Sequence, residues 1–310
     1  MSSQKLLIDI VSPATPSLAQ DYKIYFDLLS KNNLDYNNFN FEELTVTSPI
    51  DNFFSTIPVN VRFNNFKNAV ENHKSNILWC SRGGYGSADL LPFLYNLPIP
   101  AKKKILIGFS DIVAISSFIQ AKWGWQIICA PMLHQIIKNK VSQQSQIAIF
   151  DLILGNINEI NYDLKLLSGQ PQNLNSTIVG GCLSVLINNF CTKNQLDWRD
   201  KILFLEDEGE DGERLDRYFT QIAYMINENK LFPQAILLGN FYNNNEFGKV
   251  KKEKIDFAIN NFTKKINLPI WQEKTFSLGH SFNQLPLILG CPTIISKGGL
   301  LLQKIDLSFF

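Results

Sequence analysis

Residues 5 to 129 alternate short apolar runs with amphipathic segments, and this alternation constrains the fold more than any other feature of the chain. KLLIDIVSP, NILWC, KKILIGF and GWQIICAPM have the length and composition of strands. PSLAQDYKIYFDLLSKN, FNNFKNAVENHK and DIVAISSFIQAKW lie between or before them and read as helices. In the first of these, Leu18, Tyr22, Tyr25, Leu28 and Leu29 fall at helical spacing. Strands joined through helices pair in parallel, with the helices on the faces of the sheet.

At 310 residues the chain is long for one simple domain, so two domains sharing a cleft are expected. The polar, Asn-rich stretch GNINEINYDLKLLSGQPQNLNST, residues 155–177, reads as the linker between residues 1–154 and residues 178–310. Beyond it, TIVGGCLSVLINNF reads as a turn into a helix, KILFLED and QAILLGNF as strands, and GERLDRYFTQIAYMI and KEKIDFAINNF as helices. Further strands are expected around TFSLGH, LPLILGCP and GGLLLQK, giving an α+β second half.

Composition removes several function classes. A net charge of +1 gives no field to recruit nucleic acid or an anionic membrane surface. No apolar run approaches the roughly 18 residues of a membrane span, and the first apolar run is too short for a signal peptide, so a cytoplasmic protein is expected. The five cysteines, Cys80, Cys129, Cys182, Cys191 and Cys291, form no C-x-x-C pair and indicate neither a disulfide framework nor a zinc site.

Four short stretches carry the chemistry. SRGGYG has three glycines after a strand; it fits neither G-x-x-x-x-G-K-[ST] nor G-x-G-x-x-G. It reads as a plain strand-to-helix turn or as a nest of backbone N–H groups for an oxyanion or carboxylate, with Arg82 beside it. In LIGFSDIVAI, Ser110 sits where a strand ends and a helix begins, as either a helix N-cap or a nucleophile backed by the Asp111 amide. KILFLEDEGEDGER delivers Glu206 to a strand end, and most of the acids after it read as a solvated loop without calcium-loop spacing. Of the three histidines, His73 lies in polar sequence, His134 follows a strand end as a weak candidate for a pocket wall, and His280 in LGHSFN has the setting of a base on a loop.

Ser110, Glu206 and His280 supply nucleophile, orienter and base in that chain order. The glycine loop and the Asp111 amide could then receive a tetrahedral oxyanion. A histidine base predicts a rate that falls as pH drops through the ordinary histidine range.

With SRGGYG, GFSD, VGGCL, LFLEDEGE and LGH in this order, and IVSPATPS at the start, the chain resembles the LD-carboxypeptidases, serine peptidases of murein recycling. The resemblance implies an α/β chain with a flavodoxin-like parallel-sheet N-terminal domain and a smaller α+β C-terminal domain. It implies Ser110 as nucleophile, Glu206 as acid, His280 as base, and Gly84 and Asp111 as the oxyanion hole. It further implies no metal and no cofactor, a homodimer in the cytoplasm, and removal of the terminal D-alanine from murein tetrapeptides. Arg82 is the candidate anchor for the terminal carboxylate. Cys182, Val113 and Ala130 stand where the family commonly has asparagine, threonine and glycine, which bears on the pocket and not on the chemistry. The same family includes a branch resembling the microcin C self-immunity proteins, which cleave an amide to a nucleotide-like moiety. A silent binder of peptidoglycan fragments is the alternative outside enzymes.

Overall fold

A computed structural model of the protein describes residues 6–37, 41–46, 57–228, 231–242 and 249–304. In the first half, β1 (Leu7–Val11), β2 (Asp35–Asn37), β3 (Ile77–Cys80), β4 (Ile105–Ile107) and β5 (Gln126–Cys129) are separated by α1 (Ala19–Lys31), α2 (Val59–Glu71) and α3 (Val113–Trp123). The parallel strands stand in the order β2-β1-β3-β4-β5, the flavodoxin-like order 2-1-3-4-5. The order reverses between β1 and β3, so the crevice beyond their carboxyl ends is where such a sheet takes a ligand. The inner strands β3 and β5 are buried at every position because both faces are covered, and Tyr22, Tyr25 and Leu29 form the buried stripe of α1.

The second half contributes α4 (Gln143–Ile153), β6 (Glu159–Ser168), β7 (Leu174–Cys182), β8 (Ile202–Glu206), α5 (Gly212–Asn227), β9 (Ala235–Leu238), α6 (Lys249–Lys265), β10 (Ile270–Glu273), β11 (Leu287–Leu289), β12 (Pro292–Ile295) and β13 (Leu300–Lys304). Seven of these strands close a barrel in the order β8-β9-β10-β6-β13-β12-β7. Period-two alternation assigns their faces: Ile202, Phe204, Ala235 and Leu237 join a core shared with the first sheet, whereas Leu203, Leu205, Ile236 and Leu238 pack with Leu215, Phe219 and Phe262 of α5 and α6. β11 leaves the barrel and pairs antiparallel with β5, so the second half completes the first sheet.

Three expectations change. Residues 155–177 are not a structureless linker: they hold β6 and the start of β7. Ile160, Tyr162 and Leu164 face inward between exposed polar residues, and a strand with one wet face reads as polar overall. TIVGGC runs on as strand β7 rather than as a turn. TFSLGH is not a strand, because β10 ends at Glu273, two residues before it. The Glu273 carboxylate accepts the Thr275 and Ser277 amides, each at 2.7 Å, and both hydroxyls. That satisfies the backbone as a turn.

Candidate active site

The carboxyl edge of the first sheet builds one wall of a cleft. After β4, Phe109 is extended and Ser110 takes a φ of +62°, a conformation that strains any non-glycine residue. The turn is tied down by Ser87, whose amide donates to Asp111 Oδ2 at 2.8 Å and whose hydroxyl donates to the Asp111 carbonyl at 2.5 Å. Burial pushes the Asp111 carboxyl pKa up and the Ser87 bonds oppose it. Asp111 therefore anchors the loop with its side chain while its amide donates to no described residue.

The glycine loop abuts Ser110. A Cβ on Gly83 would lie 3.4 Å from Ser110 Cβ, so a larger residue there would crowd the hydroxyl. Gly84 has a φ of +107°, and a Cβ on it would fall 2.3 Å from Thr15 Oγ1. Thr15 Oγ1 itself accepts the Tyr85 amide at 3.0 Å, which fixes the loop against the segment after β1. Buried Arg62 on α2 staples the same two segments, donating to the Pro13 and Gly86 carbonyls at 2.7 Å each. Sequence reasoning missed Arg62; its signal is a lone arginine on the buried face of VNVRFNNF.

The opposite wall comes from the barrel. Glu206 ends β8 fully buried, in the inward parity of Ile202 and Phe204. Its Oε2 lies 2.7 Å from His280 Nδ1 and accepts the His280 amide at 3.0 Å, while Oε1 has no described hydrogen-bond partner. Gly279 permits this approach: with φ of +90°, a Cβ there would meet Glu206 Oε2 at 2.4 Å. The His280 carbonyl accepts from Asn240 Nδ2, and its ring packs on Phe109 at 4.7 Å between centroids. Its Nε2 stands 3.6 Å from Glu208 Oε2. Burial pushes the imidazole pKa down, but the Glu206 charge and hydrogen bond, with Glu208 and Asp207, outweigh it and raise the value to about 9.

The acids after Glu206 do not behave alike. Asp207 is buried, contrary to a solvated loop, because it accepts the Ser184 amide at 2.6 Å and the Glu208 amide at 2.8 Å. Burial, then the Glu206 charge, pushes its pKa up to about 6. Asp211 caps α5 through the Arg214 amide, Glu210 pairs with Arg214 and Glu213 with Lys254.

Ser110, Gly84, His280, Glu208, Arg82 and His134 line one cleft of about 690 Å³. Arg82 is half-buried there and has no carboxylate partner among the described residues. His73 is exposed elsewhere. Cys80, Cys129, Cys182 and Cys291 are buried and free, and Cys191 is exposed. Among the described residues no three His, Cys, Asp or Glu side chains cluster at metal-binding distance, and no helix is long and apolar enough to cross a membrane. A strained serine at a helix start, the Gly84 and Asp111 amides, which donate to no described residue, and a carboxylate-held imidazole form a set suited to acyl transfer.

Comparison with known proteins identifies the family. Residues 8–130 match the sequence profile described as the LD-carboxypeptidase N-terminal domain, and residues 175–295 that of the LD-carboxypeptidase C-terminal domain. A Rickettsia conorii protein, itself named only as a candidate carboxypeptidase, is 30% identical over 243 residues, which cover 76% of this chain and 73% of that one. The murein tetrapeptide carboxypeptidase of Pseudomonas aeruginosa is 32% identical over 192 residues, 59% of this chain and 61% of that one. Among solved structures, an MccF-like protein from Streptococcus pneumoniae, in complex with AMP, superposes with a TM-score of 0.76 at 18% identity. The match covers 97% of this chain and 99% of that one.

Proposed function

The chain belongs to the LD-carboxypeptidase family and is thus a peptidase, and on that premise we propose that it is a serine enzyme removing the terminal D-alanine of murein tetrapeptides in peptidoglycan recycling. The observation that carries the reading is the 2.7 Å contact between His280 Nδ1 and Glu206 in a cleft that Ser110 also lines. A serine hydroxyl attacks only when a base takes its proton, and the base must be held in one tautomer. Glu206 holds the proton on Nδ1, leaving Nε2 to receive the Ser110 proton.

Ser110 Oγ bonds to the carbonyl carbon of the diamino acid, and the carbonyl electron pair moves to its oxygen, where the Gly84 and Asp111 amides receive it. Collapse expels the D-alanine nitrogen, which takes the proton from His280. Water then attacks the acyl-serine with His280 again as base, releasing the tripeptide and restoring Ser110. Arg82 anchors the terminal carboxylate. The reading carries with it a cytoplasmic location and a homodimer.

Mass spectrometry of a murein tetrapeptide incubated with the protein, beside the Ser110→Ala variant, tests this. Tripeptide and free D-alanine from the wild type alone are expected; an untouched tetrapeptide overturns it. Likeness over nearly the whole chain to an MccF-like structure holding AMP favours one second reading, cleavage of an amide joined to a nucleotide-like moiety. The same machinery would serve, so a peptidyl-nucleotide amide belongs in the same assay.

A further inference from the structure

Two carboxylate–imidazole pairs serve this one cleft, and the proposed chemistry uses only Glu206 and His280. The other pair is Asp21, on α1, and His134, in the short helix Leu133–Ile137 after β5. Asp21 is buried, and its Oδ1 accepts from Lys138 Nζ at 2.7 Å. Its Oδ2 stands 3.6 Å from His134 Nδ1; both atoms are buried and neither has a hydrogen-bond partner among the described residues. At 3.6 Å the contact is too long for a hydrogen bond.

The rest of His134 is fixed. Its amide donates to the Ser81 carbonyl at 2.8 Å, which ties it to the base of the glycine loop. The side chain is 14% exposed and lines the cleft, so with Nδ1 turned to Asp21, Nε2 is the ring nitrogen left for a ligand. Arg82 shares that cleft, one residue before Gly83, which abuts Ser110. A carboxypeptidase must read a free carboxylate one residue beyond the attacked carbonyl. Arg82 and His134 line the same cleft as Ser110 and offer that group a cation and a ring nitrogen.

The charged groups facing His134 are Arg82 from the glycine loop, Asp21 from α1, Lys138 from the end of its own helix and Lys140 just beyond it. Burial, then the Arg82 cation, pushes the imidazole pKa down to about 4, so the ring is neutral in the free protein. An anion seated against Arg82 opposes this shift, because it offsets the cation that lowers the value most and accepts from a protonated Nε2.

We propose that His134, backed by Asp21, is the second arm of a carboxylate anchor whose first arm is Arg82, and that it takes up a proton as the anionic end of the substrate arrives. The protonated ring donates at both ends, to Asp21 through Nδ1 and to the carboxylate through Nε2. This deepens the carboxypeptidase reading and rests on it for the identity of the anion.

Calorimetry tests it with the murein tetrapeptide and the Ser110→Ala protein, at about pH 6 in buffers of different ionisation enthalpy. His280, with a value of about 9, is charged at that pH, and Asp207, at about 6, is common to every variant compared, so the difference between variants reads His134. Binding should take up a proton in Ser110→Ala. The uptake should vanish in Ser110→Ala/His134→Gln, shrink in Ser110→Ala/Asp21→Asn, and be absent for a tetrapeptide amidated at its C-terminus. In the active enzyme, His134→Gln should raise KM on the order of tenfold, with a smaller effect on kcat. Equal uptake with and without His134, from a protein that cleaves the tetrapeptide, overturns the anchor alone. A wild-type protein that leaves the tetrapeptide intact overturns the reading beneath it.

Discussion

Glu208 holds its Oε2 3.6 Å from Nε2 of His280, on the ring nitrogen that the proposed mechanism needs for the Ser110 proton. The imidazole is thus bracketed by carboxylates, Glu206 at one nitrogen and Glu208 at the other. Both favour the imidazolium, which cannot act as base.

The pH profile should therefore sit higher than an ordinary histidine gives. With a free-protein value of about 9, kcat/KM should climb as pH rises toward 9 and fall steadily below it. This moves the window expected from sequence upward. Glu208→Gln removes one carboxylate and should bring the acid limb down by about one unit. An unchanged limb in that variant would separate Glu208 from the base.

Stability should run the other way. The folded value of His280 lies above the unfolded 6.5, so the charged ring contributes stability that is full below about 6.5 and lost as pH rises through about 9. Denaturant midpoints across that range should fall in the wild type and flatten in Glu206→Gln. In the same variant kcat should drop on the order of 10,000-fold, since an amide can hold the imidazole in the wrong tautomer. A loss below tenfold would remove Glu206 from its role.

Ser110 allows chemistry and strain to be separated. Ser110→Ala should abolish turnover with little change in stability, because alanine at a φ of +62° is strained as serine is. Ser110→Gly should also be inactive, yet more stable by about 0.5–1 kcal/mol, as relief of the left-handed strain exceeds the added chain entropy. Calorimetric melting of the two variants checks this, and a glycine variant less stable than the alanine one would contradict it.

What the sequence made legible was local. The strand-then-helix rhythm is carried by neighbouring residues, so the parallel sheet could be read, and Ser110, Glu206 and His280 could be picked out because each ends or follows an apolar run. What it hid was long-range. β6 looked like linker because its outward residues are wet. The Asp21–His134 pair, the Arg62 staple on the Pro13 and Gly86 carbonyls and the return of β11 to β5 join segments far apart in the chain. No periodicity encodes such contacts. The burial of Asp207 depends on the Ser184 amide in the same way.

Gly84→Ala tests the proposed oxyanion site without touching an ionisable group. The new Cβ would enter Thr15 Oγ1 at 2.3 Å, and a φ of +107° disfavours alanine even if Thr15 moves. The amide should turn away from the oxyanion, and kcat should fall by about 100- to 1,000-fold. Trimming Thr15 to glycine in the same protein should not restore it, since the backbone strain remains. Full recovery in the double variant would mean that the loop serves packing alone.

Stereochemistry at the leaving residue is the sharpest test of the carboxypeptidase reading. Ser110 must meet the carbonyl carbon while the carbonyl oxygen points at the Gly84 and Asp111 amides, and this fixes the face of attack. The terminal carboxylate must at the same time reach Arg82, so the last α-carbon is held from both sides. Inverting that centre exchanges the positions of its hydrogen and methyl when the carboxylate stays on Arg82, driving the methyl toward the wall, or else it releases the carboxylate. A displacement near 1 Å can cost on the order of 100-fold in rate. A tetrapeptide ending in D-alanine should therefore be cleaved at least about 100-fold faster, by kcat/KM, than its diastereomer ending in L-alanine. Arg82→Gln should lower both rates and narrow the ratio, because the second point of attachment is gone. Equal values for the two diastereomers in the wild type would end the LD-carboxypeptidase reading and favour the nucleotide-linked amide as substrate.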